Sequence, residues 1–217
     1  MPFDWAVQQA FVLNGEPEKS GIPELLLEFF RGRLQHHLTA AGHSPDVVEA
    51  VLSARLEKKR ADYVPGTKAL FSWDIAGISS RVEVLSEGKK RDDFLPLATT
   101  FKRVVNIIPT ESPGPPVLDL GDLTEPAEVR LVDAFDEVGK RSRELIGSRE
   151  YEKLFAELRK LKAPVDRFFD QVRVLDSDKP QLMAQRIALL RRIADLFYEI
   201  ADFSKIYIEQ DVRSSKT

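Results

Sequence analysis

Apolar residues recur at intervals of three and four along most of this chain, the spacing that gathers them on one side of an α-helix. The segment from Thr99 to Ile108 shows the pattern clearly, with apolar residues on one side and polar residues on the other. Several such segments follow one another, and short loops between helices imply antiparallel neighbours. We therefore predict an all-α fold, a multi-helix bundle of antiparallel amphipathic helices.

Helix boundaries are recognisable in the first half of the chain. One apolar line is followed by Gly42, a suitable C-terminal cap, and Ser44 and Pro45 begin the next helix as N-cap and first-turn residue. The stretch from Ser79 to Leu85 alternates like a strand, but no partner strand is evident elsewhere. Its apolar neighbours also fit one helical side, so we favour a helix: Ile75, Ile78, Val82 and Leu85.

Prolines and glycines divide the chain at Pro109–Asp122, where a helix cannot continue. Beyond it, apolar lines predict further helices, with a join at Gly147, a kink or new helix at Pro164, and a last helix from Pro180 through Ile208. Two of the predicted buried stripes are Val165, Phe168, Phe169, Val172 and Leu175, and Leu182, Leu189, Ile193, Leu196, Ile200 and Phe203. The predicted organisation is a connecting segment at 1–24, a helical region at 25–108, a Pro/Gly-rich connection at 109–124, a C-terminal helical part at 125–210 and a frayed tail at 211–217.

Composition narrows the class of protein. The chain has 217 residues, 43% hydrophobic and 31% charged, which is typical of a globular protein that folds without staples. It contains no cysteine, which excludes disulfides and thiolate metal sites. The formal net charge of −3 excludes a broadly cationic nucleic-acid binder but leaves room for a local basic face. No apolar run is long enough to span a membrane.

The motifs of catalysis are missing from the sequence. Asp166 and Asp170 lie one helical turn apart but lack the further ligands that a dimetal site needs, so a solvated helix surface is the better interpretation. The adjacent His36 and His37 point about 100° apart on a helix and cannot easily serve one metal. We predict no catalytic residue, no metal ligand and no cofactor site.

Cations on polar helix sides are the remaining candidates for function. Lys102, Arg103 and Asn106 share the polar side of one helix. An amide can read a base edge, and a neighbouring guanidinium can bind phosphate or stack on a base. A solvated face is the alternative, as is a helix-packing motif in which the asparagine caps a neighbouring backbone group. Other cations occur in groups at Arg31 and Arg33, at Lys58, Lys59 and Arg60, and at Arg186, Arg191 and Arg192.

Several segments resemble the β subunit of bacterial-type glycyl-tRNA synthetases, in the order of that family and from about Leu25 to Phe203. "ATTFKRVVNII" resembles its Lys-Arg-Val-x-Asn-Ile segment, "EPAEVRLVDAF" its Glu-Pro-Ala-Glu stretch and "APVDRFFDQVRVLDSD" its Pro-Val-Asp-x-Phe-Phe-Asp signature. "QLMAQRIALL" is similar to the element that names the DALR anticodon-binding domains, although Met183 and Gln185 replace its usual Arg and Asn. "LLEFFRGRLQHHLTAAGHSPDVVEAVLSA" resembles the preceding helical pair.

The resemblance implies a C-terminal module that binds the anticodon arm of tRNA(Gly). It implies Lys102, Arg103, Asn106, Arg186 and Arg33 as RNA-binding residues, and no cofactor for this fragment. In that family a separate α subunit catalyses the ligation with ATP and Mg, within a cytoplasmic α–β heterotetramer, so the fragment alone should be inert. The alternatives are a structural domain that packs within the synthetase, and an arginyl-type DALR domain, against which the glycyl-like segments argue.

Overall fold

The structure, a computed structural model, describes residues 22–61, 75–109 and 120–207. The helices are α1 (Ile22–Ala40), α2 (Pro45–Ala61), α3 (Ile75–Lys89), α4 (Phe94–Ile107), α5 (Pro126–Ser148), α6 (Tyr151–Arg159), α7 (Lys162–Gln171) and α8 (Pro180–Tyr198). Short 3-10 turns lie at Leu120–Asp122 and Phe203–Lys205. Every regular element in the described ranges is helical, which confirms the predicted all-α class.

The predicted boundaries of the first helices follow from local backbone chemistry. Gly42 follows α1 with a φ of 98°, a left-handed conformation that glycine adopts without strain. The carbonyl of Ser44 accepts the N–H of Val48 at 3.1 Å, so α2 begins at Pro45. The segment that also resembled a strand is helix α3, as predicted. Ile78, Val82 and Leu85 of its predicted inward side are buried, and the side chain of Ile75 lies outside the described residues.

Buried side chains from both sides of the Pro/Gly-rich connection form one hydrophobic core. Phe203 lies at its aromatic centre, with ring centroids 6.0 Å from Phe94, 5.4 Å from Phe101, 6.2 Å from Phe155 and 5.6 Å from Phe197. These rings come from α4, α6 and α8. The predicted connection at 109–124 stays a prediction. Around Phe203, α4 packs with α6 and α8, which follow that connection in the chain.

Two of the predicted helices end earlier than their apolar spacing indicated. α8 ends at Tyr198, not Ile208, because Asp202 caps a 3-10 turn by accepting the N–H of Ser204. Phe203 is buried all the same, from that turn. α7 ends at Gln171, so the helical period no longer places later residues, and Leu175 is 49% exposed instead of buried.

The end of the described chain is tied to α2 and α3 by hydrogen bonds. The N–H of Asp202 donates to the carbonyl of Ala50 at 2.8 Å. The buried carboxylate of Asp46 accepts from Lys89 Nζ at 2.6 Å and from the N–H of Tyr207 at 3.0 Å. Burial alone would raise the pKa of Asp46, but these hydrogen bonds and the charge of Lys89 outweigh it and leave that pKa below its usual value.

Candidate nucleic-acid interface

Helix α4 turns its apolar side to the core and its predicted basic side toward the surface. Lys102 is half-buried, and the side chain of Arg103 and the residue Asn106 are exposed. Helical geometry places these three within an arc of about 100°. The side chain of Asn106 makes no hydrogen bond with another described residue, so within the described ranges it caps no neighbouring backbone group. The buried residues that orient the helix are Phe94, Leu97, Ala98, Thr100, Phe101 and Val104.

Arg103 crosses from α4 to α7. Its guanidinium carbon lies over the ring of Phe169, 4.4 Å from the ring centre, and its Nη1 is 3.9 Å from Oδ1 of Asp170. Phe169 is half-buried and Asp170 is largely exposed. Sequence reasoning gave neither residue a role in the site, since it placed Phe169 in a buried stripe and Asp170 on a solvated surface. The structure brings both to the predicted basic side of α4.

Polar contacts hold α4 and α7 in place beside Arg103. Oδ1 of Asp166 accepts from the hydroxyl of Thr100 at 2.7 Å, and its Oδ2 accepts from Lys162 Nζ at 2.5 Å. Asp166 is therefore an interhelical link as well as a surface residue. Nearer the start of α4, Asp93 pairs with Arg159 at the end of α6. Of these contacts, the one between Thr100 and Asp166 joins α7 to α4 and so helps to hold Phe169 under Arg103.

Arg186 lies in the core, not on an RNA-binding surface, and this corrects its predicted role. It is 2% exposed, with Nε donating to Glu128 at 2.6 Å, Nη2 to Glu125 at 2.8 Å and Nη1 to the carbonyl of Arg173 at 2.8 Å. Glu125 and Glu128 form the capping box that starts α5. Arg186 thus joins α8 to the start of α5, and we leave it out of the interface.

Sequence spacing contained a signal for this burial. Arg186 falls on the apolar line of α8 between Leu182 and Leu189, and Glu128 falls three residues before the buried Leu131 of α5. Opposite charges on two buried lines are typical of an internal ion pair, because each charge needs a partner in the core.

The remaining candidate cations lie elsewhere. Arg33 is exposed on α1, which packs against α2, so the structure places it on a different helix from the α4 residues. Its neighbour Arg31 pairs with Glu49 of α2 at 2.7 Å. Arg191 donates to the carbonyl of Pro109 at 3.1 Å, and Arg192 is exposed. The side chains of Lys58, Lys59 and Arg60 lie outside the described residues.

The exposed side of α5 is mainly acidic, unlike the exposed side of α4. A shallow groove there is lined by four carboxylates and two cations: Asp133, Asp136, Glu137, Glu144, Lys140 and Arg141. The net negative charge of this groove repels phosphate, whereas the exposed side of α4 carries two cations, Lys102 and Arg103, with Asp170 of α7 beside Arg103. The contrast favours α4 over α5 as the side that meets a nucleic acid.

Within the described ranges, no cluster of three or more histidine or acidic side chains is placed to hold a metal ion. Of the three histidines, His43 has its Nδ1 2.8 Å from the hydroxyl of Ser86. Among the described helices, none combines the length and the apolar character that crossing a membrane requires. The predicted absence of a catalytic site and of a cofactor stays a prediction.

Comparison with known proteins adds the family. Residues 97–208 match the DALR anticodon binding domain, from α4 to the end of the described chain. The chain is 39% identical over 198 residues to the glycine–tRNA ligase beta subunit of Myxococcus xanthus, covering 88% of this chain and 25% of that relative. It is 35% identical over 189 residues to the corresponding subunit of Anaeromyxobacter dehalogenans, covering 87% and 24%.

A third relative, the glycine–tRNA ligase beta subunit of Geotalea daltonii, is 34% identical over 181 residues, which cover 83% of this chain and 23% of that protein. The chain thus spans about a quarter of the length of these relatives. The matched residues include Lys102, Arg103 and Asn106, the whole of α7, and Arg186 with its partners Glu125 and Glu128. On this match, which covers residues 97–208 of 217, the chain belongs to the DALR anticodon-binding domain family.

Proposed function

We propose that this chain is the tRNA anticodon-arm-binding module of a glycyl-tRNA synthetase β subunit. The observation that carries the proposal is the exposed side of α4, where Lys102, Arg103 and Asn106 lie together within the matched domain. Cations there hold phosphates that flank an unpaired loop, and an amide reads a base edge. Arg33, on α1, is a candidate for a further phosphate contact.

In the whole enzyme this module supports glycine–tRNA ligation by selecting the cognate tRNA. Its partners are tRNA(Gly), the rest of the β subunit and a separate α subunit in a cytoplasmic heterotetramer. We propose that the module uses no cofactor of its own, while ATP and Mg serve the α subunit. The glycine ligase names of the relatives favour this assignment over an arginyl-type domain.

A packing role within the synthetase is the alternative from another class. Such a role requires a broad apolar surface. Large exposed apolar side chains do occur in the described part of the chain: Phe29, Leu95, Val129, Leu175 and Tyr207. Phe29, Leu95 and Val129 lie on three different helices, and Leu175 and Tyr207 lie outside the helices, so no single described helix presents a broad apolar docking face. The exposed side of α4 therefore supports RNA binding better.

Binding to a glycine tRNA, and to the same tRNA with altered anticodon bases, tests the proposal at two salt concentrations. Discrimination that persists at higher salt supports reading of the anticodon by this chain. Equal, salt-sensitive binding to both RNAs would mean that it holds only phosphate. No binding by the folded chain would contradict the proposed function and favour the packing role.

The Lys102→Ala variant tests whether Lys102 contacts a phosphate of the RNA. If Lys102 meets one phosphate, the slope of log affinity against log salt should become shallower by roughly 0.7 to 0.9, the value for one phosphate contact. Lys140→Ala is the matched control, because Lys140 is exposed on the acidic side of α5. An unchanged slope for Lys102→Ala would remove this residue from the interface.

A further inference from the structure

We propose that Arg103, Phe169 and Asp170 form a stacking site for one unpaired RNA base that carries an exocyclic amino group. This assignment rests on the proposed function, that the exposed side of α4 meets RNA. It gives Arg103 a base to hold instead of a phosphate, and it adds two residues of α7 to the interface. We call these three residues the base platform.

The first argument is the geometry of the guanidinium. With its carbon 4.4 Å from the centre of the Phe169 ring, one side of the Arg103 head group is covered by the ring. The side chain of Arg103 is nevertheless 52% exposed, so surface remains open to solvent. Bases of single-stranded RNA stack on arginine planes and aromatic rings, and the stacking tolerates any base because each has a π-face.

The second argument is the rigidity of the support. Phe169 packs edge-on against Phe168, with centroids 5.8 Å apart and ring planes at 62°. Phe168 is completely buried in the core. The link between Thr100 and Asp166 fastens α4 to α7 one turn away from the platform. The stacking surface is therefore formed before RNA arrives, which lowers the entropy lost on binding.

The third argument is the charge of Asp170, which decides between base and phosphate. Its Oδ1 lies 3.9 Å from Nη1 of Arg103, and its side chain is 71% exposed. A phosphate brought to this guanidinium would meet a carboxylate of the same sign. A base amino group, by contrast, can donate a hydrogen bond to that carboxylate, as acidic side chains accept from base amino groups elsewhere. The platform therefore favours adenine, cytosine or guanine over uracil.

A purely structural role for Arg103 would be to cover the ring of Phe169 with its side chain. Such a role predicts a change in stability and no dependence on any particular base. The base platform predicts that binding depends on one particular base and that stability does not change. Arg103→Lys separates the two roles, because lysine keeps the charge and much of the covering chain but loses the flat guanidinium. Binding and stability therefore have to be measured on the same variants.

The experiment uses the full chain and the anticodon-arm hairpin of a glycine tRNA, in which each loop base is removed in turn to leave an abasic sugar. With wild type, one abasic position should weaken binding about tenfold, within the range known for loss of one stacked base. Arg103→Lys should weaken binding to the intact hairpin by a similar factor and should show little further loss at that abasic position. Arg167→Lys, an exposed arginine on α7, is the matched control and should bind as wild type does.

Three further readouts sharpen the test. The slope of log affinity against log salt should be the same for Arg103→Lys and wild type, because the charge is kept. Uracil at the sensitive position should bind several-fold more weakly than an amino-bearing base in wild type, and Asp170→Asn should reduce that difference. Urea unfolding of each variant should match wild type, so that the binding change is not a folding change.

The result that would overturn the base platform is Arg103→Lys binding like wild type, or an abasic effect of full size in that variant. If the wild-type chain binds the hairpin and Lys102→Ala alters its salt slope, such a result removes the platform and leaves the proposed function standing. If the folded wild-type chain binds no hairpin, both are overturned.

Discussion

Replacing Arg186 with methionine should destabilise the fold by about 3 kcal/mol, because it strands a carboxylate in the core. Glu128, its partner at 2.6 Å, is 0% exposed. Breaking a buried ion pair by removing one partner costs about 3–5 kcal/mol. We expect the lower end because Glu128 still accepts the N–H of Glu125 at 2.9 Å. Methionine fills much of the space of the arginine stem, so a cavity adds little.

Urea unfolding followed by circular dichroism measures the loss as a lower transition midpoint with an unchanged slope. Arg192→Met is the matched control, because Arg192 is exposed on the same helix and its replacement should change the free energy of unfolding by less than about 0.5 kcal/mol. Adding Glu128→Gln to Arg186→Met should recover about half of the loss, since glutamine removes the stranded charge and keeps the capping-box acceptor.

Two results would refute this reasoning. A free energy of unfolding for Arg186→Met within about 1 kcal/mol of wild type would mean that the ion pair does not support the core. A double variant as unstable as the single one would mean that the stranded charge is not the cause of the loss. If Arg186→Met does not fold at all, a double variant that does fold supports the same explanation.

The other predictions concern a carboxylate and two glycines. Replacing Asp46 with asparagine should lower the free energy of unfolding at pH 7, and its difference from wild type should shrink as the pH falls below about 4. The depressed pKa means that ionised Asp46 stabilises the fold above its unfolded pKa, and this contribution is lost as the pH falls through its folded pKa. A difference in the free energy of unfolding between variant and wild type that stays constant from pH 7 to pH 3 would contradict this prediction. Gly88→Ala should destabilise by about 1–3 kcal/mol, because its Cβ would lie 2.9 Å from Cε1 of Phe155. Gly139→Ala, with nothing within 4 Å of the added Cβ, should stabilise by about 0.5–1 kcal/mol. If Gly88→Ala and Gly139→Ala shift the thermal unfolding midpoint in the same direction, the packing argument is contradicted.

The helices were predictable because apolar residues recur along them at helical spacing and because proline, glycine and capping residues mark their ends. Prediction was wrong where tertiary contacts end a helix before its apolar pattern ends. Phe203 continues the spacing of α8 yet reaches the core from a 3-10 turn, because Asp202 caps that turn and its N–H bonds to Ala50 of α2. A pattern along one segment does not contain a partner that lies far away in sequence.

The candidate site was predictable only in part, for the same reason. Lys102, Arg103 and Asn106 share one helical side by spacing alone. The contact between Arg103 and Phe169 depends on how α4 packs against α7, which no single segment specifies. Arg186 looked like a surface cation because it was judged by its charge, although its place on the apolar line of α8 indicated the core.

The segments that resemble the synthetase family meet in two pairs, and the pairs differ in burial. Arg186 of "QLMAQRIALL" meets Glu128 of "EPAEVRLVDAF" in the core, where stability alone explains both residues. Arg103 of "FKRVVNII" meets Phe169 and Asp170 of "PVDRFFD" at the surface. An exposed ion pair contributes about 0–1 kcal/mol, and an exposed cation–π contact about 0.5–1 kcal/mol. That contribution is small against the buried pair, so the fold gives little reason for a guanidinium, a ring and a carboxylate to meet there. A ligand outside the fold supplies the missing reason, and an unpaired base with an amino group is the one whose chemistry fits all three.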